Sequence, residues 1–160
     1  MRMTRVVRCA VDWALPFVLV FGAYVVLHGH LTPGGGFQGG AVMATAAALI
    51  YVARSYADSK DRIPKGTLAV CEAIGLVLFV GAGLSALLVA SPFFYNWTAN
   101  GGGLFGQTVA TGTNPGNLDT SGLIPVMNIA VGLEVVGALA SILAYMMSGA
   151  RDTGLTENSD

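Results

Sequence analysis

His28-Gly29-His30-Leu31-Thr32-Pro33-Gly34-Gly35-Gly36-Phe37-Gln38-Gly39-Gly40 stands between two long apolar runs. Six glycines and a proline in thirteen residues predict a sharp, close-packed turn instead of continued helix. Glycine has no Cβ to restrict φ, and proline has no backbone donor. The runs on either side have the length and apolarity of membrane spans, so the peptide groups of the turn lie near or within a bilayer. Irregular backbone at that depth is tolerated only against protein or trapped water. The turn is therefore expected to be a packing or functional centre.

Composition supports a membrane setting. Charged residues make up 11% of the 160 residues, against roughly 25% in an average soluble domain. With 54% hydrophobic residues and a mean hydropathy of +0.66, there is too little polar surface to cover a soluble globule. The net charge of -1 supplies no basic surface for nucleic acid. Cys9 and Cys71 are far apart and have no CxxC or Cys/His spacing, so neither a disulfide framework nor a zinc site is expected, and no cofactor motif is present. The apolar run from Cys9 to Leu27 is longer than a signal-peptide core and lacks a small-x-small cleavage site, so it reads as a retained first span.

Four runs reach the roughly 20 residues needed to cross a bilayer: Cys9 to Leu27, Gln38 to Tyr56, Thr67 to Ser91, and Leu123 to Met147. The expected fold class is an all-α integral membrane protein of four transmembrane helices, paired as two hairpins. Residues 1–147 form the membrane domain and 148–160 a polar, frayed tail. Arg2, Arg5, Arg8, Arg54, Lys60, Arg62, Lys65 and Arg151 all fall on one side of this arrangement. The positive-inside rule makes that side, and both termini, cytoplasmic. The glycine turn and the loop Pro92 to Gly122 then lie at the outer face. Phe93, Phe94, Tyr95 and Trp97 at the start of that loop fit an interfacial aromatic belt. Asn96-Trp97-Thr98 matches the N-glycosylation pattern, which is too common to carry weight alone. Gly81, Ala82, Ser85, Ala86 and Ala90 form small faces suited to helix packing.

Two carboxylates interrupt the spans, and an ionisable group inside a span is a functional candidate. Glu134 is 11 residues into the fourth run, roughly 16 Å along a helix axis and so near the midplane. A charged acid there costs about 2.5 to 3.5 kcal/mol on insertion scales, so it must be protonated, hydrated or paired. The chain offers no Lys or Arg at that depth, and a counter-charge would have to come from another subunit or a water-filled path. Ala130, Gly137, Ala138 and Ser141 share its helix face, which is small enough for contact with another helix. Glu72 is nearer the inner side. It is open to two readings, an interfacial ion pair with a snorkelling Arg54 or Lys65, or a place on a proton path. Asp12 reads as an inner-surface charge or an i, i+4 partner of Arg8. His28 and His30 do not share a helix face, so a metal pair is not expected. Hydrogen bonds to the peptide groups of the glycine turn, or proton handling, remain open to them. Asn128 can tie helices together through its amide. Gly34-x-Gly36-x-x-Gly39 matches the dinucleotide fingerprint by letters alone, since a span and not a strand precedes it. No nucleophile–base constellation can be assembled.

The turn, with His30, Pro33, Gly34, Gly35, Gly36, Phe37, Gly39 and Gly40, resembles the Gly-His-x-x-Pro-Gly-Gly-Gly-Phe-x-Gly-Gly signature of the MrpB (MnhB) subunit of Mrp-type cation/proton antiporters. Pro125-Val-Met-Asn128 with Val131-Gly-Leu133 resembles the last span of the same domain. The resemblance implies a non-catalytic, multi-pass subunit in a prokaryotic cell membrane, partnered by the other antiporter subunits in a hetero-oligomer that exchanges Na⁺ for H⁺. Related domains in membrane-bound hydrogenase and sulfur-reducing complexes imply an alternative, a structural subunit of a redox-driven complex. A self-associated channel is a third reading with less support.

Overall fold

The structure, a computed structural model, describes residues 3–54, 59, 63–89, 91–99, 101, 103–109 and 116–152. Arg2, Tyr56, Lys60, Arg62, Ala90, Asn114, Pro115 and the tail from residue 153 lie outside the described residues.

Among the described residues, four long helices carry the chain. Helix α1 spans Arg5–Leu27, and the Thr4 side chain accepts from the Val7 backbone N–H at its start. Such an N-cap satisfies one of the donors that a helix leaves open at its first turn. Pro16 is accommodated inside α1 without ending it. Helix α2 spans Gly36–Arg54. Helix α3, Lys65–Ser85, starts directly after Pro64 and tightens into a 3-10 turn at Ala86–Val89. Helix α4 spans Leu123–Asp152. Each is long and apolar enough to cross a membrane, and the chain is an all-helical, multi-pass membrane protein. Helix α4 continues past Met147, so residues 148–152, expected in the frayed tail, are helical.

The glycine stretch departs from expectation. Only residues 28–35 form a turn; Gly36 to Gly40 are the first turn of α2. Tertiary contact overrides the poor helix propensity of glycine here, because α2 begins in the gap between two other helices. A Cβ on Gly39 would lie 2.6 Å from the Gly22 carbonyl oxygen of α1. One on Gly40 would lie 2.8 Å from the Gly132 carbonyl oxygen of α4. Neither approach leaves room for a side chain.

The helices contact one another in the order α1, α2, α4, α3, with α1 touching α4 slightly and no contact between α1 and α3 among the described residues. Sequence neighbours pair as two hairpins, and α2 and α4 join them. Most buried apolar residues are alanines, including Ala44, Ala46, Ala53, Ala130, Ala140 and Ala144, while Trp13, Phe17, Val20, Val77 and Leu88 are exposed. Small residues inside and large apolar residues outside suit a bilayer, where close backbone packing holds helices together. A cluster of Ala47, Tyr51, Leu68, Ala140 and Ala144 joins α2, α3 and α4 toward the Arg54 end. Ala82 and Ala86 are buried as expected, but Gly81 faces open space.

The segment after α3 folds back on the helices. The Phe94 backbone N–H donates to the Gly83 carbonyl at 3.2 Å, and its ring lies over Gly83, 5.7 Å from the Phe79 ring. Trp97 Nε1 donates to Ser85 Oγ at 3.0 Å. Asn96 is spent on the start of α4, where its Oδ1 accepts from the Leu123 N–H and its Nδ2 donates to the Ser121 carbonyl, both at 2.9 Å. The N-x-T pattern is therefore used structurally.

Candidate functional site

At the turn end of the bundle, close packing of α1, α2 and α4 places Asn128 against both edges of the turn. A Cβ on Gly29 would lie 2.9 Å from Asn128 Nδ2, and one on Gly35 would lie 3.1 Å from its Oδ1. A Cβ on Gly36 would lie 3.1 Å from the Gly132 N–H nitrogen. Asn128 Nδ2 is buried and has no hydrogen-bond partner among the described residues. Gly29, Gly35, Gly36 and Asn128 are thus brought together, with Gly39 and Gly40 a turn farther along α2 against Gly22 and Gly132, whereas Pro33, Gly34 and Phe37 are exposed. Gly34 has a φ of +85°, a conformation that glycine adopts without strain.

The histidines bond differently from expectation. His28 Nδ1 lies 3.0 Å from the Tyr24 carbonyl oxygen, and its ring stacks on Tyr24 with centroids 3.9 Å apart. It closes the last turn of α1 instead of binding the glycine peptides. His30 has both ring nitrogens buried without a hydrogen bond of ordinary geometry. Burial and, secondly, the neighbouring His28 hold its pKa below the ordinary 6.5, against an opposing pull from the Leu118 and Leu27 backbones.

The two carboxylates meet the same crossing from opposite helices. A Cβ on Gly75 of α3 would lie 2.5 Å from Glu134 N and 2.6 Å from the Ala130 carbonyl oxygen. On α4, a Gly137 Cβ would lie 2.6 Å from Glu72 N and 2.7 Å from the Leu68 carbonyl oxygen. Glu72-Ala-Ile-Gly75 and Glu134-Val-Val-Gly137 are thus reciprocal: each glutamate's backbone rests on the glycine three residues after the other. Glu134 is half-buried and Glu72 exposed. Neither has a hydrogen bond or ion pair among the described residues. Of the two readings of Glu72, the ion pair with Arg54 or Lys65 is not formed. Arg54 pairs with Asp12, joining α1 to α2, and this also replaces the expected Arg8–Asp12 pair. Lys65 Nζ donates to Ser148 Oγ at 2.9 Å and lies 4.1 Å from the Tyr145 ring centroid, which ties α3 to α4. Arg54 is thus taken by Asp12, and Lys65 opens α3 whereas Glu72 lies two turns into it. No group of three His, Cys, Asp or Glu side chains that could hold a metal occurs among the described residues.

Gly75 and Gly22 are functional positions that the sequence reading does not reach. For Gly75 a signal exists, the repeated Glu-x-x-Gly in the two final spans. Gly22 carries none until its partners Gly39 and Met43 are known.

Residues 6–152 match the family described as a domain related to the MnhB subunit of Na⁺/H⁺ antiporter. The chain is 35% identical over 132 residues to the uncharacterized protein MJ1307 of Methanocaldococcus jannaschii, covering 82% of this chain and 47% of that protein. It is 36% identical over 76 residues to a Na⁺/H⁺ antiporter subunit of Alkalihalophilus pseudofirmus, covering 48% of this chain and 52% of that one. These matches therefore span about half the length of each relative. A chain in the structure of the membrane-bound sulfane sulfur reductase, an archaeal respiratory membrane complex, superposes with a TM-score of 0.72 at 32% identity. That superposition covers 92% of this chain and 59% of the other.

Proposed function

The chain belongs to the family of domains related to the MnhB subunit of Na⁺/H⁺ antiporters, and from that premise we propose that it is an accessory membrane subunit of a multisubunit cation/proton antiporter complex. In this reading it supports assembly through its glycine-packed helices and contributes Glu134 to a proton or Na⁺ route, while carrying out no covalent chemistry of its own. Glu72, His28 and His30 are secondary members of the same route, and the large apolar surface meets lipid and the other subunits. Both termini face the cytoplasm, with residues 1–147 as the working membrane domain.

The observation that carries the proposal is the Glu72–Glu134 crossing. Two carboxyl groups stand within spans without a partner among the described residues, in a setting where an unpaired charge is expensive and therefore functional by default. Their neutralisation has to come from bound protons, cations, water or a neighbouring subunit.

Na⁺-dependent proton flux, measured in vesicles holding the assembled complex, tests this. Glu134→Gln keeps the size of the side chain and removes its titration. Flux is expected to fall by about tenfold or more, equivalent to about 1.4 kcal/mol, with every subunit still present. Unchanged flux in an intact complex would reduce Glu134 to packing. The superposition on a chain of a respiratory complex favours a second reading, a subunit joining an electron-transfer arm to an antiporter-like module. Co-purification with redox subunits in place of the antiporter set would decide for it.

A further inference from the structure

At the end opposite the turn, Arg5, Arg8, Cys9, Asp12 and Arg54 line a cleft of about 300 Å³ between α1 and α2. Three arginines and one carboxylate thus share the cleft. Asp12 is engaged by Arg54, which leaves the charges of Arg5 and Arg8 uncompensated by it. Arg8 Nε is buried and has no hydrogen-bond acceptor among the described residues. A buried guanidinium nitrogen without an acceptor carries the full cost of its lost hydration, and an anionic oxygen is the group that relieves it.

We propose that this cleft binds the phosphodiester headgroup of an anionic phospholipid. A free phosphate would satisfy the same arginines, but α1 favours a lipid. Cys9, Asp12, Pro16 and Val20 follow one another at helical i+3 and i+4 spacing, so they share one face of α1. Pro16 and Val20, together with Phe17, Phe21 and Tyr24, line an apolar groove of about 540 Å³ farther along the helix. A charged cleft followed along the same helix by an apolar groove matches a headgroup with its acyl chain. A soluble anion would use only the first part. Arginine suits the headgroup because its planar fork can donate two hydrogen bonds to one phosphate, which an ammonium cannot reproduce.

Native mass spectrometry of the full chain in detergent, titrated with phosphatidylglycerol, reads the site. Arg5→Gln combined with Arg8→Gln leaves the Arg54–Asp12 link in place and is expected to weaken binding about tenfold. Lys65→Gln, which removes a charge outside the cleft, is expected to leave binding within about twofold of wild type. Arg8→Lys alone serves as a milder variant should the double variant misfold, and an intermediate loss is expected. Equal affinity in wild type and the arginine variants would overturn the site. Displacement of the lipid by inorganic phosphate at matching concentration, or equal binding of phosphatidylcholine, would overturn its assignment to an anionic lipid.

Discussion

Glu134 and His30 raise the same physical question in two places, how a titratable side chain is kept where water does not solvate it freely. Glu134 has no partner among the described residues and rests its backbone on Gly75, so any partner for its carboxyl group has to approach the α3–α4 crossing from outside the chain's described residues. His30 is held neutral by its own surroundings, since burial and the neighbouring His28 lower its pKa from 6.5. Unfolding returns that ring to water, where it takes a proton near the ordinary value. The unfolded chain therefore binds more protons in the window below 6.5, and stability is full above that window and falls as pH drops through it. The thermal unfolding midpoint of the detergent-solubilised chain should consequently decline on acidification below neutrality. His30→Gln, which does not titrate, should flatten that part of the decline. Parallel pH profiles for the two proteins would show that His30 does not govern it. The importance of His30 was legible from its place in the motif. Its surroundings were not, because they include the Leu118 backbone, which belongs to the distant loop before α4 and pulls against the burial.

At the scale of the helices, backbone contact decides stability, and glycines separate into those that make it and those that do not. Gly75 and Gly137 hold α3 and α4 at a distance that a single methyl group would prevent. At Gly66 and Gly81, both on α3, a side chain would enter open space. Gly75→Ala or Gly137→Ala should lower stability by about 1 to 3 kcal/mol, the usual penalty of overpacking. Gly66→Ala or Gly81→Ala should be neutral or stabilising by up to about 1 kcal/mol through helix propensity. Thermal midpoints of the four variants in one detergent test this contrast, and equal shifts in all four would refute it. The same distinction explains what the sequence made legible. Four apolar runs and their hairpin pairing follow from length and composition. Glycine richness alone does not distinguish a loop from a helix squeezed between two others, which is why Gly36 to Gly40 read as turn and proved to be helix. Close approach depends on which residues lie opposite, and that information is spread over three helices.

Over the whole molecule, the contact order α1, α2, α4, α3 gives an incomplete bundle. With α1 and α3 apart, an apolar groove lined by Val26, Met43, Cys71, Ile129 and Val136 opens between the hairpins. Such an apolar groove offers no aqueous route of its own, which fits the accessory role proposed above better than a solitary channel. The two ends also differ in kind: the Arg54–Asp12 pair and the Lys65–Ser148 hydrogen bond gather charge at one end, while the other presents the glycine turn and the folded-back aromatic segment. Lys and Arg are retained on the cytoplasmic side of short-looped membrane proteins, so the charged end should face inward. In a Cys9→Ala, Cys71→Ala background, cysteine at Gly103, where a Cβ meets nothing within 4 Å, should react with a membrane-impermeant maleimide in intact cells. Cysteine at Met3, exposed beside the charged end, should react only after permeabilisation. The reverse pattern would invert the protein in the membrane. It would then place the arginine cleft against the outer leaflet and turn both glutamates' approach routes around with it.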